Sequence, residues 1–356
     1  MSKSKKMNKS VKTGLLITLC VIVVVGVLAF IFCRPSYFKS WNEDSAPLQA
    51  LQSYVSDVTD ETSPNYIRHE DRIAVFDMDG TLMSEKYPTY FEWLMLAHRI
   101  LDDPDYKDKA TPQEIELAKG IRSLKQDSKI PSNYEKWESE VGGKAYEGMT
   151  LYDYYNYVRQ FKKTKADGFE NMNLGEAFFE PMKEVVKYLE DYGFIVYICS
   201  GTDRFLDRAL LSDIFPEIPS SQIIGMDYKV ITKNQGSTDP LEYEYQPGEN
   251  LIRTSELIQK SIKMNKAAIM AQEIGKLPVL SFGNSTGDAS MLNFTISNPD
   301  YKSLAFIIKW DDLDREYGNL ETSKKVQDLA DKYGWITISM KDDWKTIYGE
   351  GVSKSK

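Results

Sequence analysis

Histidine and cysteine are nearly missing from this chain, which has two histidines and three cysteines in 356 residues. His69 and His98 are far apart in sequence, and no Cys-x-x-Cys pair occurs. A zinc site of the usual kind is therefore excluded. A serine–histidine–aspartate triad would need one of those two histidines, and neither sits in a recognisable nucleophile context. Cys20 and Cys33 fall within an apolar run, so Cys199 stands alone in the remainder and there is no disulfide framework. Positive charge is also short once the first 33 residues are set aside. Those residues hold five lysines (Lys3, Lys5, Lys6, Lys9, Lys12) and no acid, which leaves 39 basic against 53 acidic side chains beyond them. So acidic a surface gives nucleic acid or anionic lipid no general reason to bind.

Long hydrophobic runs are rare, with one exception. Gly14 to Cys33 is an uncharged, almost wholly apolar stretch of 20 residues. As a helix it would span about 30 Å, the thickness of a hydrocarbon core. The flanking lysines predict a cytoplasmic basic tail at 1–13 and a transmembrane signal-anchor at 14–33, with the rest sent across the membrane. Cleavage after Val27-Leu28-Ala29 is the alternative; it would expose Phe30-Ile31-Phe32-Cys33 as a greasy new terminus. A polar linker at 34–45 follows, then a helix from Ala46 to about Val58 with Leu48, Leu51 and Val55 on one face.

Ile73-Ala74-Val75-Phe76 reads as a strand buried on both faces of a parallel sheet, and it runs into Asp77-Met78-Asp79-Gly80-Thr81. Residues two apart on extended backbone point the same way, so Asp77 and Asp79 can address one substrate at the ligand-binding end of such a sheet. A second buried run, Phe194 to Cys199, ends in Ser200-Gly201-Thr202; it follows a helix bearing Met182, Val185, Val186 and Leu189 that stops near Gly193. A third, Pro278 to Phe282, ends in Gly283-Asn284-Ser285-Thr286-Gly287-Asp288. Lys266 opens a helix-like segment just upstream. Three strands delivering small polar or acidic groups at the same end describe one site.

This ordered set resembles the phosphatase branch of the haloacid dehalogenase superfamily. The match lies in Asp77-x-Asp79-Gly80-Thr81, Ser200, Lys266 and Gly283-Asn284-Ser285-x-x-Asp288. Ser40-Trp41-Asn42 and Met340-Lys341-x-Asp343-Trp344-Lys345 look like an exported bacterial subgroup. The resemblance implies an α/β fold: a Rossmann-like doubly wound parallel sheet, with an inserted, mainly helical cap. The core would comprise 46–82 and 178–350, and the cap 83–177. It also implies a Mg²⁺-dependent phosphomonoester hydrolase. Asp77 would be the nucleophile forming an aspartyl-phosphate, and Asp79 the general acid and base. Ser200, Gly201 and Lys266 would bind the phosphoryl group. The metal would be held by Asp77, Asp79 (through its backbone carbonyl) and Asn284, with Asp288 in support. Many members carry aspartate where this chain has Asn284. A phosphomutase or phosphotransferase, or a surface-anchored binding module without catalysis, are the alternatives.

Substrate choice falls to the insert, which reads as helical. Phe91, Leu94, Met95, Ile100 and Leu101 suit one helix, Thr111-Pro112-Gln113-Glu114 a capped helix start, and Leu151 to Phe161 another. Tyr152, Tyr154, Tyr155 and Tyr157 suggest an aromatic cage for a cationic headgroup or, more simply, packing within the insert. Asp227 to Gln246 reads as a β-hairpin turning at Asn234-Gln235-Gly236. Asn284-Ser285-Thr286 is an N-glycosylation sequon, and a sugar there would block the site, so a bacterial exported protein is the expected setting. The expected partners are a small phosphate ester and the membrane.

Overall fold

The computed structural model describes residues 37–85, 89–125 and 130–355. The signal-anchor expected at 14–33 and the tail before it lie outside the described residues. Among the described residues no helix is long and apolar enough to cross a membrane.

Helix α1 (Ala46–Thr59) starts where Ser45 accepts a bond from the Leu48 N–H at 3.3 Å, and it buries Leu48, Leu51, Tyr54, Val55 and Val58. Seven strands then form the central sheet: β1 (Ile73–Phe76), β2 (Ile195–Asp203), β3 (Ile223–Thr232), β4 (Leu251–Gln259), β5 (Leu280–Gly283), β6 (Leu304–Lys309) and β7 (Ile336–Ser339). Their order across the sheet is β4-β3-β2-β1-β5-β6-β7. All neighbours are parallel except β3 and β4. The apolar runs produce this because helices cover both faces: β1 and β5 are buried at every residue. Phe76, Phe282 and Phe306 share one register position on β1, β5 and β6, and their rings stack at 4.4 and 4.9 Å. The chain leaves β1 toward β2 on one side and returns to β5 on the other. The C-terminal end of β1 is thus the point where the winding reverses, the crevice where open sheets bind ligands.

Between β1 and β2 lie α2 (Phe91–Leu101), α3 (Pro112–Arg122), α4 (Tyr134–Ala145) and α5 (Leu151–Phe161), then α6 (Glu180–Asp191). Thr111 and Glu114 form a reciprocal capping box on α3. The two ends of this excursion are pinched together: Met83 bridges Phe178, and the Ser84 N–H donates to the Ala177 carbonyl at 2.8 Å. The remaining long helices are α7 (Arg204–Leu211), α8 (Met264–Glu273), α9 (Ala289–Ile296) and α10 (Leu320–Tyr333). Trp41 and Trp344 come together edge to face at 6.1 Å, and Asn42 N–H donates to the Asp343 carbonyl at 2.9 Å.

The hairpin expected at 227–246 is displaced. Its first arm is part of β3, but the return arm is β4, at 251–259. Residues 233–250 form a long turn-rich connection instead. Pro240 and Pro247 bracket the acidic stretch that would have been the return arm, and proline removes a ladder donor. The insert docks on this displaced arm. Arg253 N–H donates to the Met149 carbonyl and Gly148 N–H to the Arg253 carbonyl, both at 2.9 Å. Gly143 permits the approach, since a side-chain carbon there would stand 2.8 Å from the Ser255 carbonyl oxygen.

Candidate active site

The ladder carries Asp77 past the end of β1, because its N–H still donates to the Phe282 carbonyl at 2.9 Å. A tight turn follows, with the Met78 carbonyl accepting from Thr81, Leu82 and Met83. Gly80 turns the chain with φ of +81°, where a side chain would be strained. The Asp77 carboxylate, nearly buried, accepts from the Thr81 hydroxyl at 3.1 Å and from Lys266 Nζ. Asp79 accepts from the Thr202 hydroxyl at 2.9 Å through Oδ2. Its Oδ1 is buried and has no hydrogen-bond partner among the described residues.

Lys266 is 2% exposed in the first turn of α8. The residue before that helix, Lys263, has φ of +52° and donates its N–H to the Gly287 carbonyl at 2.9 Å. That strained cap ties the lysine helix to the loop after β5. Lys266 also donates to Asp288 Oδ1 at 2.7 Å, so one ammonium spans two carboxylates. Asp288 Oδ2 accepts from the N–H groups of Asn284 and Ser285 at 3.1 and 3.0 Å and from the Ser285 hydroxyl at 3.2 Å. Burial pulls the Lys266 ammonium down, but Asp288 and Asp77 outweigh it and hold it above its usual value. Burial, then the charge of Asp288, raises the Asp77 carboxyl above the usual range, while Lys266 pulls it back. Asp79 is pushed up to about 7, chiefly by burial, although its bond to Thr202 works the other way.

On the other side of β1, strand β2 continues through Ser200-Gly201-Thr202 to Asp203, so those residues belong to the strand rather than to a loop beyond it. Ser200 is fully buried, and its hydroxyl accepts from the Thr202 N–H at 3.1 Å. Gly201 has no room for a side chain, because a carbon there would meet an Ile262 methyl at 2.9 Å. Asp203 caps α7, accepting from the Phe205 and Leu206 N–H groups, and pairs with Arg253 at 2.6 Å; both side chains are 1% exposed.

Neither a family model nor a curated protein matches this chain. Solved structures do. A conserved protein of unknown function from Anaerococcus prevotii is 14% identical, with a TM-score of 0.52 over 86% of this chain and 94% of its own. Cytosolic 5′-nucleotidase IIIB, solved bound to cytidine, is 11% identical at a TM-score of 0.47, over 85% and 88% of the two chains. A HAD family hydrolase from Salmonella enterica serovar Typhi is 12% identical at 0.34, over 66% and 61%. The likeness to the Anaerococcus protein is one of fold alone: a mostly parallel α/β sheet.

Within this core, Asp77, Lys266 and Asp288 are in direct contact, and Asn284 stands against Gly80. Ser200 joins them through Thr202 and Asp79. Among the described residues no three histidine, cysteine or acidic side chains surround a common cation position. The donors expected from the sequence, the Asp77 carboxylate, the Asp79 backbone carbonyl and the Asn284 amide oxygen, would make a mixed set for a metal. These all-oxygen donors suit a hard cation, and the unbonded Asp79 Oδ1 and excess of acid over Lys266 fit one. Both Asp288 oxygens are engaged by Lys266 and by the loop it shapes.

Two residues near the site, Asp207 and Glu85, went unread in the sequence, and Thr81 and Thr202 stood in its motifs without a role. Thr202 holds Asp79, and Thr81 holds Asp77. Asp207 on α7 is fully buried, its carboxyl raised well above its usual range by burial and then by the charge of Asp79. Glu85 is 5% exposed just past the aspartate turn. Asp207 left a trace, as an acid one residue after buried Leu206 on a helix that also buries Leu210 and Leu211. The tyrosines of α5 form no common cage: Tyr152 is 70% exposed, while Tyr154 is buried with the Arg253 guanidinium 4.0 Å from its ring centre.

Proposed function

We propose that this protein is a Mg²⁺-dependent phosphomonoester hydrolase working through an aspartyl-phosphate on Asp77. The observation that carries the reading is the unequal treatment of two carboxylates on one turn. Asp77 is bonded to an ammonium, which works against the burial and the Asp288 charge that raise its carboxyl and so favours the ionised, nucleophilic form. Asp79 is held through one oxygen by Thr202 and keeps the other unbonded, as a group that must give and take a proton requires.

Asp77 attacks phosphorus as the ester P–O bond breaks, and Asp79 protonates the departing alkoxide. Water then attacks the aspartyl-phosphate, gives its proton to Asp79, and releases inorganic phosphate with Asp77 restored. Lys266 and Ser200 stabilise the charge on the phosphoryl oxygens during both transfers. Mg²⁺, when bound by Asp77, the Asp79 carbonyl and the Asn284 amide, supplies charge neutralisation between carboxylate and phosphate dianion.

The insert from 83 to 177 supplies substrate choice as a cap over the site, and the N-terminal segment anchors the protein with this domain outside the cytoplasm. Support for the anchor is the lysine-flanked apolar run alone. Assay of the full chain on nitrophenyl phosphate, with and without chelator, tests the activity. Wild type should release inorganic phosphate only with Mg²⁺, and Asp77→Asn should fall to background. Retained turnover in Asp77→Asn or in excess chelator would contradict the reading. Transfer of the phosphoryl group to an added alcohol, without phosphate release, would favour a transferase.

A further inference from the structure

We propose that Glu92 of the insert is a positioning residue for Asp79. It holds the Asp203 N–H and so fixes the Thr202 hydroxyl that binds the acid–base carboxylate. The inference rests on the phosphatase reading above. It starts from a break in the sheet. Strand β2 pairs with β3 at Cys199 with Ile224 and again at Asp203 with Met226, so Ser200, Gly201 and Thr202 stand against Gly225 alone. On the other edge, pairing with β1 ends at Ile198. A break in register of this kind acts as a bulge, which re-aims side chains and leaves the extra residues outside the ladder. Gly225 has no room for more, since a side-chain carbon there would stand 2.6 Å from the Thr202 carbonyl oxygen. The ladder therefore does not set the Thr202 side chain. What holds Asp203, where pairing resumes, does.

Two side chains from other elements hold Asp203. Arg253 pairs with its carboxylate at 2.6 Å, and Glu92 Oε1 accepts from its N–H at 3.2 Å. Glu92 lies in the first turn of α2 and is 8% exposed. The N–H it takes belongs to the peptide joining Thr202 to Asp203, and the Thr202 hydroxyl donates to Asp79 Oδ2 at 2.9 Å. Insert and acid–base carboxylate are thus linked by two hydrogen bonds and one peptide. A peptide plane is stiff, so displacing its N–H displaces Thr202 with it. The contact needs an acceptor rather than a charge. Burial, then the charge of Glu138, raises the Glu92 carboxyl well above its usual range, with Lys260 pulling it back. A protonated carboxyl still accepts through its carbonyl oxygen, and an amide does the same.

The test is kcat/KM of the full chain, with Mg²⁺, on phenyl phosphate and on nitrophenyl phosphate. Phenolate needs a proton on departure far more than nitrophenolate does. Glu92→Met fills the space without an acceptor, and should cost about tenfold on phenyl phosphate and about twofold on nitrophenyl phosphate. Glu92→Gln keeps an accepting oxygen and should restore most of the difference. In a Thr202→Val chain, Glu92→Met should take away little more, because the hydroxyl it positions is gone. Equal losses on the two esters, no recovery in Glu92→Gln, an undiminished effect beside Thr202→Val, or a Glu92→Met chain that does not fold would each overturn the proposal. A wild type that releases phosphate from neither ester would instead overturn the phosphatase reading on which it rests.

Discussion

Thr202 hydrogen-bonds Asp79 across a separation of 123 residues. Replacing it with valine keeps the shape and removes the donor. Thr202→Val should lower turnover of alkyl phosphates on the order of tenfold, and that of nitrophenyl phosphate less, because nitrophenolate departs without a proton. Equal losses on both esters would show that Thr202 does not act through Asp79. At this scale the sequence is legible where chemistry is contiguous with a buried run. Asp77 and Asp79 follow β1 directly, and the Gly283–Asp288 loop follows β5, so periodicity locates them. Thr202, Glu85 and Asp207 are ordinary residues in local sequence, and they gain meaning only from groups that the fold brings beside them. Lys266 was found through the family pattern, since a single lysine opening a helix has no signature of its own.

Helix and strand limits follow local physics closely where caps or apolar stripes mark them. Ser45 opens α1, Thr111 opens α3, and the stripe of Met182, Val185, Val186 and Leu189 defines α6. Pairing is another matter. Nothing near Asn234 reports that β3 waits until Leu251 for its antiparallel partner, because a return arm is chosen by what it covers. Here it covers the insert, through Arg253. That guanidinium pairs with Asp203 and packs on the rings of Tyr154 and Tyr228, with centroids 4.0 and 4.9 Å away. It therefore joins β4, the insert and the end of the serine strand. Arg253→Ala leaves Asp203 buried without its counterion and should cost about 3–5 kcal/mol in urea unfolding. Arg253→Met combined with Asp203→Asn, which keeps the helix cap, should cost less. If the single and double variants were equally stable, the ion pair would carry none of the coupling.

Residues 39–356 form one compact unit, and its stability should depend on pH through a buried acid that is not on the aspartate turn. Glu316 is fully buried, accepts from the Tyr317 N–H at 2.7 Å and the Tyr348 hydroxyl, and is pushed up to about 7, first of all by burial. An acid with a raised folded-state pKa stabilises fully below its unfolded value of 4.5 and loses that contribution as pH rises through 7. Stability should fall by roughly 3 kcal/mol across that window. Glu316→Gln should flatten this part of the profile, and an unchanged slope in the variant would remove Glu316 as its source. The α/β architecture was legible in three apolar runs, whereas the docking of the insert on β4 was not, since it depends on tertiary pairing. The central claim is that the phosphoryl group passes through Asp77. Its most direct test is acid quenching of the enzyme during turnover of a labelled phosphate ester in Mg²⁺, followed by peptide mapping. The account predicts an acid-stable, hydroxylamine-labile phosphoryl group on the peptide containing Asp77, absent in Asp77→Asn. Steady release of phosphate from an enzyme whose Asp77 is never phosphorylated, with Asp77→Asn still active, would contradict it.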